Sequence, residues 1–85
     1  MDVQLKIDTV SKEEAEVVAS ALPGNPAILP ARGYGLIRIR CKKRELQSVV
    51  DRVAEAAHKH RIPWVRVRHG DDEEYVFRNG VRSLG

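Results

Sequence analysis

The chain has little that can cross-link, stack or span. Its 85 residues include one cysteine, Cys41, so neither a disulfide framework nor a Cys-x-x-Cys site is available. Aromatic residues are only 5% of the chain, too few for a surface built from stacked rings. Uninterrupted apolar runs reach three residues, as in Ala27-Ile28-Leu29, far short of the roughly 20 that a membrane-spanning helix needs. The opening Met1-Asp2-Val3-Gln4-Leu5-Lys6 has neither the basic start nor the apolar stretch of a signal peptide, and a cytoplasmic location is expected. No internal repeat or low-complexity segment breaks the sequence.

What is present fits one small folded domain over residues 1–85. Hydrophobic residues make up 42% and charged residues 32%, a globular balance. The net charge of +3 conceals a segregation. Residues 36–69 hold ten Lys/Arg against three Asp/Glu, a local +7, while the segments before and after are each −2. A basic middle between acidic ends makes a local field that the total understates.

Periodicity divides the chain into elements. Val3, Leu5 and Ile7 alternate with Gln4, Lys6 and Asp8, the signature of a half-buried strand. Ser11 with Glu14 three residues later is a capping box, and the helix it opens runs to about Leu22, where Pro23-Gly24 stops it. Residues 27–31 read as an edge strand between Pro26 and Pro30, with a plain loop as the alternative. Ile37, Ile39 and Cys41 alternate with Arg38, Arg40 and Lys42 in a further strand. The spacing of Leu46, Val49, Val50, Val53, Ala54 and Ala57 predicts a helix from Arg44 to about Arg61, ended by Pro63. Trp64–His69 alternates again, His69-Gly70-Asp71-Asp72 is turn chemistry, and Tyr75-Val76-Phe77 returns antiparallel, ended by Asn79-Gly80 with a short tail.

The order is β-α-β-β-α-β plus a C-terminal strand. It predicts an α+β, two-layer ferredoxin-like sandwich: an antiparallel sheet in the order 4-1-3-2, with two helices on one face. If residues 27–31 are a loop, the order becomes β-α-β-α-β-β, also α+β with two layers. The expected core is Val3, Leu5, Ile7, Val18, Leu22, Ile37, Ile39, Cys41, Leu46, Val49, Val50, Val53, Ala57, Val65 and Val67.

With the apolar sets turned to the helices, the polar sets share the other face. The first strand then shows Gln4, Lys6 and Asp8, the third Arg38, Arg40 and Lys42, and the fourth Trp64, Arg66 and Arg68. Six of these nine side chains are basic, and the tryptophan is expected to be exposed. Antiparallel sheets often keep one wet face, so sign is the informative part: like charges on adjacent strands repel unless an anion covers them. This predicts a non-catalytic binding module using Lys6, Arg38, Arg40, Lys42, Trp64, Arg66 and Arg68. Nucleic acid, as RNA or a single strand, is the leading partner, and a base stacked on Trp64 would quench its emission. An RNA-recognition motif is excluded, since Gln4, Lys6, Arg38 and Arg40 stand where its aromatics are needed. The alternative is a protein-interaction or regulatory subunit that docks an acidic partner. The acidic run Asp71-Asp72-Glu73-Glu74 offers internal neutralisation as a rival explanation. An exposed Trp64 beside an edge strand with Tyr75 and Phe77 favours a homodimer.

Catalytic and metal chemistry find no footing. His58 and His60, two apart on a helix, point in different directions and His69 is distant, so no metal and no other cofactor is expected. Cys41 lies in the apolar set of its strand and reads as core. Arg32-Gly33-Tyr34-Gly35 lacks the lysine and the strand–loop–helix context of a phosphate loop. The junction Thr9-Val10-Ser11 lacks the glycine-rich loop of acylphosphatases, and a lone cysteine excludes the metallochaperone pair. No enzyme is expected.

Overall fold

Alternation along Asp2–Thr9 produces the first strand, β1, with Leu5, Ile7 and Thr9 fully buried on one side. Ser11 then caps helix α1, Lys12–Ser20: its Oγ accepts from the Glu14 N–H, and the Glu14 carboxylate accepts from the Ser11 N–H. Two orphan donors are thereby satisfied, which fixes where the helix begins. The short strand β2, Ala27–Leu29, lies between Pro26 and Pro30, and β3 spans Gly35–Lys42. A 3-10 turn at Lys43–Glu45 leads into helix α2, Leu46–Lys59, and β4 covers Trp64–His69. Strands β5, Glu73–Arg78, and β6, Val81–Ser83, complete the chain. The computed structural model describes residues 2–70 and 73–83. Asp71 and Asp72, half of the acidic run, lie outside them.

The molecule is α+β: a six-stranded sheet in the order β2-β3-β1-β4-β5-β6, all neighbours antiparallel, with two helices. The core lies between sheet and helices. Leu5, Ile7, Ile37, Ile39, Val65, Val67 and Phe77 from the strands meet Val18 and Leu22 from the α1 region and Val49, Val50, Val53 and Ala57 from α2. Gly35 is buried because the chain passes so close to the start of α1 that a Cβ there would overlap Thr9, the Ser11 carbonyl and Ala15. No helix among the described residues is long and apolar enough to cross a membrane.

Several expectations need correction. Asn79-Gly80 does not end the structure; it turns β5 into β6. Both residues have positive φ, 55° and 81°, the backbone of a two-residue hairpin turn whose twist suits antiparallel strands. Val3, Cys41 and Leu46 are half-buried rather than core. Val3 and Cys41 face each other near the end of the β1–β3 ladder, at the rim of the sheet. Ala15, Ala56, Ile62 and Phe77 are buried in addition. Helix α2 begins after the 3-10 turn and stops at Lys59, because Arg61 turns left-handed with φ 55°. The Ile62 N–H then bonds to the Ala57 carbonyl at 2.9 Å and the Arg61 N–H to that of His58 at 3.3 Å. This is a Schellman closure, and it turns Ile62 into the core.

Candidate functional site

Antiparallel register decides which side chains share the face turned away from the helices. Residues directly opposite each other point the same way, so the pairs Lys6–Arg38, Gln4–Arg40 and Asp2–Lys42 all lie on the open face. Across the other edge of β1, Lys6 stands opposite Arg68 and Asp8 opposite Arg66. The expected basic residues on β1, β3 and β4 are therefore on one surface. Arg38, Lys6 and Arg68 form a row of cations directly opposed across three adjacent strands. The open face of β5 adds Glu74, Val76 and Arg78, and that of β2 adds Ala27 and Leu29.

The surface is not uniform. Asp8 is only 2% exposed, the one charged side chain among the buried residues described. It is covered by two arginines: Arg66 Nε donates to Oδ2 at 2.8 Å with its terminal nitrogen at 2.7 Å, and Arg68 donates to Oδ1 at 2.9 Å. These are charge-assisted bonds, the Arg66 contact a two-pronged one. Arg66 and Arg68 keep about a third of their side-chain surface in water (36% and 37%), so they are clamped without being lost to the surface. The Arg68 Nε is buried without a partner, a sign that the clamp dictates where this guanidinium lies.

Trp64 departs from its expected place. It is half-buried rather than exposed, with the Arg66 guanidinium 5.7 Å from its ring centroid. The cation occupies space over the ring that a base would need for stacking. Phe77 is buried, and β5 is flanked by β6, so the apolar edge invoked for self-association is inside the sheet.

By contrast, Lys6, Arg38, Arg40 and Lys42 are exposed, and none makes an ion pair among the described residues. Shallow depressions flank them: one is lined by Asn25, Ala27, Arg38 and Arg40, another by Gln4, Lys6, Arg68 and Gly70. No protein-family model, curated protein or solved structure matches the chain. The chemistry must therefore be read from the residues.

The remaining titratable candidates lie elsewhere. No group of three or more His, Cys, Asp or Glu side chains assembles a metal-binding cluster among the described residues. His69 faces Glu73 across the β4–β5 ladder, with Nδ1 and Oε2 3.2 Å apart. Burial pushes the Cys41 thiol up from its ordinary pKa, and the Glu45 and Asp2 carboxylates push it further in the same direction. That makes it a poor nucleophile. Sequence reasoning missed the Asp8 clamp. Its only trace was an acid at a strand position whose neighbours on the same face are basic.

Proposed function

We propose that this protein is a non-catalytic binding module whose basic sheet face engages nucleic acid, RNA or a single strand. The fold assigned to it is a ferredoxin-like sandwich with β5 and β6 appended; the order β2-β3-β1-β4 of the inner strands supports that reading. The observation that carries the function is the cation row Arg38–Lys6–Arg68. Directly opposed like charges cost stability, and a bound polyanion turns that repulsion into attraction. A broad sheet surface also fits the narrow grooves of a duplex poorly, which favours a strand that can lie flat.

The experiment is a titration with oligouridylate of about 20 nucleotides across a salt series. Binding at low salt is expected, with log Kd linear in log salt. Arg38→Gln with Lys6→Gln should lower the slope by about 0.7 for each lost contact on a single strand. Absence of binding at low salt removes the reading. Poly-L-glutamate that binds more tightly than the oligonucleotide, through the same two residues, assigns the face to an acidic protein partner instead.

A further inference from the structure

We infer that the single strand lies along β3, over Arg38, Arg40 and Lys42, and does not cross the sheet to β4. This rests on the nucleic-acid reading above and specifies which half of the basic face does the binding. Three observations carry it. The first is spacing: side chains two apart on a strand recur about every 6.6–6.8 Å, so Arg38, Arg40 and Lys42 form a straight, regularly spaced row. The phosphates of an extended single strand recur at a similar interval, whereas a path across the sheet meets the shorter spacing between strands, about 4.8 Å.

The second observation is the state of the competing side. On β4 the two arginines are already bound to Asp8, and the face of Trp64 has Arg66 over it. A phosphate arriving there must compete with a buried carboxylate at 2.7–2.9 Å, and a base must displace a guanidinium. Beyond β4 the next side chain opposite Arg68 is Glu74, an exposed carboxylate that repels a polyanion.

The third observation is what lies outside β3. Strand β2 is three residues long and uncharged, and its ladder reaches only from Leu29–Leu36 to Ala27–Arg38. Arg40 and Lys42 therefore have no strand on their outer side, and the depression lined by Asn25, Ala27, Arg38 and Arg40 opens there. The acidic residue directly opposite the row, Asp2, stands at its Lys42 end, so Arg38 and Arg40 carry most of the attraction.

The test uses the intact chain and the same oligouridylate. Arg38→Gln and Arg40→Gln are each expected to lower the log–log salt slope by about 0.7. Arg78→Gln, an exposed cation on the open face of β5 opposite Trp64, should leave the slope unchanged. Trp64 is the chain's one tryptophan, so its emission in the unaltered protein reports on β4 without any substitution. It should stay constant to saturation. Quenching of Trp64, or a slope that falls with Arg78→Gln and not with Arg40→Gln, overturns the β3 path while leaving nucleic-acid binding intact. No binding by the unaltered protein removes the underlying reading instead.

Discussion

A carboxylate that meets two guanidinium groups and almost no water, as Asp8 does, is held by interactions stronger than those of an ordinary surface ion pair. Removing it leaves Arg66 and Arg68 free to swing outward, since a third of each is already solvated. Asp8→Ala is accordingly expected to destabilise the fold by about 1.5–3 kcal/mol, read from the urea midpoint at constant m-value. A change below half a kcal/mol would show that the clamp is ornamental. Cys41 gives a second residue-scale prediction. Its thiol is raised by burial and by the Glu45 and Asp2 charges, so the protonated form is favoured in the folded state. The stability this contributes is fully present below the unfolded thiol's pKa and is lost as pH climbs through the folded one. The rate of alkylation by iodoacetamide should therefore rise with pH along a curve displaced to the alkaline side of that for the urea-unfolded chain. Coincident curves would contradict the shift.

Among the elements, the ends are more informative than the middles. Arg61 adopts a left-handed conformation at the end of α2 that costs an L-residue roughly 1–2 kcal/mol, part of which a glycine recovers. Arg61→Gly should raise stability by about 0.5–1 kcal/mol, seen as a higher thermal midpoint; a lower one would mean that the arginine side chain contributes more than its backbone costs. Gly80 is the opposite case. Its φ is 81°, and a Cβ placed there would come within 2.5–2.8 Å of the Cα, Cβ and N of His58 on α2. Gly80→Ala should cost about 1–3 kcal/mol through strain and displacement of the β5–β6 hairpin. Hydrogen exchange should then rise first in β6. These cases show what the sequence disclosed. Period-2 and period-3.6 patterns are local, so both helices and the strands at Val3–Asp8, Ile37–Lys42 and Trp64–His69 were readable from it, as was the capping box at Ser11. The Asn79-Gly80 hairpin was equally local, but the pair also serves as a stop signal, and the three residues after it are too short for a pattern. The placement of Trp64 and the Asp8 clamp were not local. They depend on register between β1 and β4, which no stretch of the chain encodes by itself.

At the scale of the whole molecule, the sheet is asymmetric in charge and in its borders. One border, β2, is three residues between prolines, a design that discourages pairing with another chain. The middle belongs to β1, with β3 on one side and β4 on the other. This position has a consequence for how the chain acquires its shape. The first strand to be synthesised can pair with β3 once residue 42 has emerged, but its second border waits for β4, and Asp8 meets Arg66 and Arg68 only across separations of 58 and 60 residues. Until then one side of β1 is a bare ladder and Asp8 has neither of its arginines. A fragment that stops short of β4 should therefore show no cooperative urea transition, and a sharp one would disprove the dependence. Closing so long a loop is slow, so folding of the intact chain should be governed by the arrival of β4, and substitutions at Val65 or Val67 should slow refolding more than those at Val18. The strand that is born first is the one completed last.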